Sequence, residues 1–190
     1  MNLEEILNKK EFTKEELIFL LSLEGDDMQK LLSKALEVKL REIGNEVYLR
    51  GLIEYSNRCQ KSCLYCGVRL PNAKVVRYTM KDEEVFDCVK KAIDYNYGSL
   101  AIQSGERSDK AFTDKITYLL KEIKKLSDGK LGITLSCGEQ SIDVYKEWFL
   151  AGAHRYLLRI ETTNEDLYYK IHPNDDIHSF KNRLSALRSL

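Results

Sequence analysis

Cys59, Cys63 and Cys66 form a Cys-x3-Cys-x2-Cys run, CQKSCLYC, directly behind an apolar segment, VYLRGLIEYSN. Three thiolates that close together can wrap one inorganic cluster. A [4Fe-4S] cube ordinarily takes four cysteine ligands, so three leave one iron open, and an open metal position is where chemistry happens. The competing reading is a structural zinc knuckle, but structural zinc sites are closed four-ligand tetrahedra. No fourth Cys or His lies at knuckle spacing, and the nearest other cysteine is Cys88. The spacing therefore favours an open cluster.

Such a run needs a scaffold that brings it to a pocket. The chain has 190 residues, 43% of them hydrophobic, with 30 basic and 30 acidic side chains. That is enough for a globular core. A net charge of zero gives no bulk attraction to nucleic acid or an anionic membrane, which points to a small-molecule substrate. The start, MNLEEILNKKEF, lacks the apolar core of a signal peptide. No apolar run approaches the roughly 18 residues that span a bilayer. Five cysteines, three of them clustered, argue against a disulfide framework and for a reducing cytoplasm.

Residues 1–46 read as a helical segment. Thr13 and Glu16 make a capping-box pattern before LIFLLSL, Gly25 fits a helix stop, and Met28, Leu31, Leu32 and Ala35 repeat at helical spacing. From 47 the period changes. VYLRGLIEY reads as a strand, and Thr79 with Asp82 caps a helix whose apolar face holds Val85, Cys88, Val89, Ala92 and Ile93. Cys88 is then a core thiol. SLAIQSG, GITLSCG and RYLLRIET read as further strands, each followed by a helix. That alternation means βαβ units and a parallel sheet, an α/β fold. A full (β/α)8 barrel takes about 250 residues, so 47–190 is expected to form the N-terminal half of such a barrel.

Strand alternation assigns the faces. In 155–162, Tyr156, Leu158 and Ile160 point to the covering helices, leaving Leu157, Arg159 and Glu161 inside. Charges in a strand buried on both faces are expensive unless used, so Arg159 and Glu161 are candidates. In 132–138, Thr134 and Ser136 face in while Cys137 joins the core; in 99–104, Gln103 faces in. These polar groups and the cysteine loop share the C-terminal mouth, where barrels of this kind keep their active sites. His154, His172 and His178 show no metal-ligand spacing and read as solvated, and KEIKKLSDGK reads as an exposed face rather than a nucleic-acid patch.

The cysteine run, with the aromatic Tyr65 before its third cysteine, resembles the signature of the radical S-adenosylmethionine (SAM) superfamily. IEYSNRCQKSCLYCGVR, AIQSGE, TLSCGE, RYLLRIETTNEDLYYKIHP and SFKNR resemble, within it, the HydE family of [FeFe]-hydrogenase maturases over essentially the whole chain. The resemblance implies a [4Fe-4S] cluster on Cys59, Cys63 and Cys66, with SAM on the open iron and cleaved reductively to a 5′-deoxyadenosyl radical. It implies that Tyr65 contacts the adenine, that Gly105 and Glu106 lie where the methionine amino group is held, and that Glu161 and Arg183 contact SAM. Gln103, Thr134, Ser136 and Arg159 match residues that meet the substrate. An electron donor and other hydrogenase maturation proteins would be the partners.

Two residues depart from the family pattern: Cys137 stands where leucine is common, and Ile160 where histidine is expected. The acidic PNDDIHSF loop is longer than usual, which bears on the placement of Arg183. Two other readings stand beside the maturase: a mutase or synthase of the methylornithine synthase or biotin synthase type, and a truncated cluster-binding chain without catalysis.

Overall fold

Four segments with apolar residues at alternate positions become parallel strands: β1 (Gly51–Ser56), β2 (Ser99–Ser104), β3 (Gly132–Ser136) and β4 (Ala153–Tyr156). They lie in the order β1-β2-β3-β4, the sequential arrangement of a (β/α) barrel, here as a four-stranded sheet. Helices α4 (Asp82–Asp94), α5 (Lys110–Leu126), α6 (Ile142–Leu150) and α7 (Glu165–Ile171) follow the strands in turn, and α8 (Phe180–Arg188) comes last. The computed structural model describes all residues from Met1 to Leu190, as two units, Met1–Tyr48 and Leu49–Leu190.

In the first unit, α1 (Leu3–Leu7), α2 (Lys14–Leu21) and α3 (Gly25–Glu42) pack around Leu3, Ile6 and Leu20. The capping box forms as the sequence predicts: the Glu16 N–H donates to Thr13 Oγ1, and the Thr13 N–H to the Glu16 carboxylate. Gly25 does not stop a helix. It opens α3 at a positive φ of 56°, because α2 has already ended at Leu21. No helix is long and apolar enough to cross a membrane.

In the second unit one sheet face is dry. Ile53, Tyr55, Leu100, Ile102, Ile133 and Leu135 meet Val85, Val89 and Ala92 of α4 and the apolar stripe of α5. Cys137 is buried in this layer, as alternation requires, and burial pushes its thiol up to about 12. Cys88 packs half-buried on its margin. Side-chain caps from Asp109, Ser141, Asn164 and Ser179 start the later helices, each contributing about 1 kcal/mol. Asp82 and Thr79 do not form the predicted cap. Lys81 opens α4, its N–H donating to the Glu84 carboxylate (2.7 Å), while Thr79 bridges back to Ser56.

Two strands are shorter than their patterns. β1 starts at Gly51, opposite Leu100; residues 47–50 have no neighbouring strand to bond. β4 ends at Tyr156, and one more ladder bond, Leu157 N–H to the Leu135 carbonyl (2.8 Å), closes the pairing. Residues 157–160 lie outside the sheet, so Arg159 and Glu161 are not in a strand buried on both faces.

Leu135→Ala should cost about 2–5 kcal/mol in urea denaturation, because it opens a cavity in the dry layer. Leu52→Ala, on the 58% exposed opposite face, should stay within about 0.5 kcal/mol.

Candidate active site at the strand mouth

The chain leaves β1 through a loop whose backbone is held from several sides. Arg77 acts as a clamp: its guanidinium donates to the carbonyls of Asn57, Val68 and Arg69, each at 2.7 Å. Charge-assisted bonds of this kind are the strong ones, and they close the cysteine loop on itself. The Asn57 side chain donates to the Val76 carbonyl and accepts the Tyr78 N–H. Across the loop, the Leu64 N–H donates to the Ile171 carbonyl and the Gln60 N–H to the Glu106 carbonyl, both at 2.9 Å.

Gly105 sits where a side chain cannot. A Cβ there would lie 2.4 Å from the Arg58 carbonyl oxygen and 2.9 Å from Cys59 Cβ. The β2 exit therefore touches the cysteine loop backbone to backbone. The Cys59 sulfur accepts two N–H groups, from Lys61 (3.4 Å) and Glu106 (3.3 Å).

Beneath this contact lies a buried charge group. Lys61 Nζ is 3.0 Å from Glu106 and 3.2 Å from Glu139, and Arg183 is 3.1 Å from Glu106 and 2.7 Å from Glu139. Lys61 also donates to the Ile177 carbonyl. Desolvation works against the Lys61 ammonium, but the two carboxylates outweigh it and hold its pKa above the ordinary lysine value. Arg183 is raised for the same reason. Register explains the two glutamates. Gln103 pairs with Ser136, and Glu106 and Glu139 each stand three residues further on. Gly138, at φ 78°, lets Glu106 pass over it; a Cβ would be 2.0 Å from Glu106 Cγ.

Cys59, Cys63, Tyr65, Cys66, Gln103, Gly105, Glu106, Ser136, Arg159, Glu161 and Arg183 all line one cavity of about 280 Å³ at the strand mouth. Of the residues expected from the sequence, Thr134 alone stands apart from that lining. It is buried one inward position below Ser136, and its hydroxyl has no hydrogen-bond partner. The longer acidic loop does not displace Arg183, which is 7% exposed. Arg159 and Glu161 are exposed rather than sheet-bound. Glu161 holds a left-handed backbone, φ 65°, uncommon for a residue with a side chain. Its carboxylate accepts from the Tyr65 hydroxyl at 3.4 Å.

Two of the three histidines correct the sequence reading, while His154 is exposed as expected. His172 and His178 are 2% and 1% exposed, and His154 bonds to the β3 backbone. His178 Nε2 accepts the Ser62 N–H (2.8 Å), so Nδ1 carries the proton donated to Asp175 (2.6 Å). His172 stacks on Tyr168, with centroids 4.0 Å apart, and meets the Tyr65 hydroxyl at 3.3 Å. Burial of both rings required the 172–178 loop to fold onto the cysteine loop, which local sequence does not encode. Lys61, Arg77, Glu139 and His178 were not anticipated. One signal existed: SGE after β2 and CGE after β3 occupy matching offsets.

The site suits an iron-sulfur cluster better than a single ion. The three thiols face one cavity, and three thiolates without a fourth ligand suit a cluster with one open iron rather than a closed zinc tetrahedron. N–H donors onto a cysteine sulfur are a common feature around such clusters. Burial raises the Cys59 and Cys63 thiols above their ordinary value, so ligation must release their protons.

Gly105→Ala should lose about 1–3 kcal/mol by overpacking, whereas Gly67→Ala, with nothing within 4 Å of its Cβ, should be close to neutral; denaturation midpoints compare the two. Burial, the largest cause, lowers the His172 pKa below 6.5. The unfolded chain then takes up a proton near pH 6.5 that the folded chain refuses, so this contribution is whole above that pH and falls as the pH drops toward the lowered value. His172→Phe should flatten that part of the stability-pH curve.

The Radical SAM superfamily profile matches residues 53–190, and members of this superfamily use a [4Fe-4S] cluster and SAM. The [FeFe] hydrogenase maturase subunit HydE of Thermotoga maritima is 40% identical over 98% of this chain and 52% of its own. Among solved structures, methylornithine synthase (PylB) superposes with a TM-score of 0.84 at 25% identity, over 98% of this chain and 54% of its own. HydG, a maturase of the [FeFe]-hydrogenase, superposes with a TM-score of 0.82 at 27% identity, over 98% and 42%. The chain spans about half the length of the curated relatives it matches. With its three-cysteine loop at the mouth of a parallel sheet, the chain belongs to the radical SAM superfamily.

Proposed function

We propose that this chain carries the cluster- and SAM-binding half of a HydE-type radical SAM maturase. The observation that carries the reading is the convergence, on one cavity, of the three cysteines with the polar inner face of β2 and β3 and the Glu161–Tyr65 contact. Cys59, Cys63 and Cys66 hold the cluster. With SAM bound, the pair supplies a 5′-deoxyadenosyl radical by one-electron cleavage of a carbon–sulfur bond.

The chain's own residues bind and orient. Tyr65, 52% exposed with its hydroxyl tethered by His172 and Glu161, offers a ring face to the adenine. The Gly105–Glu106 turn lies where the methionine amino group is held. Glu161, which accepts from the Tyr65 hydroxyl, would contact SAM beside it. Arg183 is already fixed between two carboxylates, so a SAM carboxylate meets a pre-organised cation. Gln103 and Ser136, side by side in register, with Arg159 and the unpartnered Thr134 hydroxyl, form the wall toward a small substrate bearing a carboxylate. An electron donor and other hydrogenase maturation proteins are the partners this reading calls for, in the reducing cytoplasm where cysteines stay out of disulfides. A methylornithine-synthase-type substrate is the second reading, favoured by the 0.84 superposition and weakened by the higher identity to HydE.

The test is anaerobic loading with iron and sulfide, then electron paramagnetic resonance of the reduced protein with and without SAM. A [4Fe-4S] signal that changes shape on adding SAM is expected, and Cys63→Ala should abolish it. A protein that takes up zinc and shows no signal would sink the reading. Because ligation releases thiol protons, iron uptake should weaken as the pH is lowered.

A further inference from the structure

The buried charges at the strand mouth do something the binding roles above leave unused. Lys61 lies between the first two cysteines, and its side chain is 4% exposed, with the ammonium wedged between Glu106 and Glu139. Each carboxylate also touches Arg183 from α8. Two positive and two negative groups therefore join the cysteine loop, the β2 exit, the β3 exit and α8. A second strut reaches the same loop, since His178 accepts the Ser62 N–H and is itself held by Asp175.

The quartet meets the cysteines at one atom. Both N–H groups on the Cys59 sulfur come from its members, Lys61 at 3.4 Å and Glu106 at 3.3 Å. The Lys61–Glu106 ion pair, 3.0 Å long, closes side chain to side chain over two residues whose backbones converge on that sulfur. Neither N–H lies in a helix or strand, so regular structure does not fix them. Backbone bonds hold the neighbouring carbonyls, Leu70 N–H to Lys61 (2.8 Å) and Gln60 N–H to Glu106 (2.9 Å), and the ion pairs tie the two side chains to each other, to β3's exit and to α8.

We propose that Lys61, Glu106, Glu139 and Arg183 form a positioning device that locks two backbone N–H donors onto the Cys59 sulfur and thereby raises the reduction potential of the cluster bound there. The proposal rests on the cluster reading above. Donors aimed at a ligand sulfur stabilise the more negative, reduced cluster. Lys61 and Glu139 touch no reacting atom; they act through Cys59.

Two variants separate positioning from simple charge. Lys61→Met removes a positive charge and Glu139→Gln a negative one, and both break the Lys61–Glu139 pair. Redox titration of the reconstituted full chain, followed by electron paramagnetic resonance, reads the midpoint potential. Positioning predicts that both variants shift it to more negative values, because both loosen the quartet that holds the N–H donors. Shifts of opposite sign would mean that net charge alone acts, and an unchanged potential with lowered stability would mean a merely structural brace; either overturns the proposal. Where a variant takes up no cluster although the unmodified chain does, hydrogen exchange on the metal-free chain decides. Faster exchange at the Lys61 and Glu106 amides supports the device, and unchanged protection refutes it. Failure of the unmodified chain to load would instead refute the cluster reading, a distinct result.

Discussion

An ammonium buried between two carboxylates governs the mouth of this sheet. Lys61 could not be removed from water alone, since an isolated buried charge costs several kcal/mol even after relaxation. It is tolerated because Glu106 and Glu139 arrive from adjacent strands, and those carboxylates are tolerated because Arg183 balances the second charge. The register of β2 against β3 is therefore a condition for the loop's shape. A one-residue slip would move every inward side chain to the helix face and part the two glutamates.

The two faces of the sheet follow from the same alternation. Ile102, Ile133 and Leu135 seal one side against α4 and α5, and this layer supplies most of the stabilisation at about 25 cal/mol per Å² of apolar area buried. The other side carries Glu54, Gln103 and Ser136 in one register row. Parallel sheets are normally covered on both faces. Here the second face is a lined pocket, and its polar row is affordable because it remains in reach of solvent.

Aromatic packing completes the wall opposite the sheet. Tyr168 stacks on His172, meets Phe180 at 5.2 Å between centroids, and so ties α7 to the start of α8. His172 in turn stands edge-on to Tyr65, 5.4 Å away. Such contacts are worth about 0.5–1.5 kcal/mol each beyond their burial. They keep Tyr65 presented to the cavity although half of its surface is exposed.

Much of this was legible in the chain itself. The cysteine spacing, the alternation in 99–104 and 132–136, and the capping box at Thr13 are local properties, fixed by backbone period and side-chain type. From them follow the parallel α/β sheet, the buried Cys137 and the inward Gln103, Thr134 and Ser136. Tertiary structure decided what depends on partners far apart in sequence. β4 pairs with β3 only as far as Tyr156 and Leu157, so Arg159 and Glu161 fall in a loop. His172 and His178 are buried because the loop carrying them folds back on the cysteines. Lys61, an ordinary exposed residue by composition, becomes an interior cation because two glutamates distant in sequence converge on it. Propensity and period act over a few residues, whereas charge pairing and burial act across the space that folding creates.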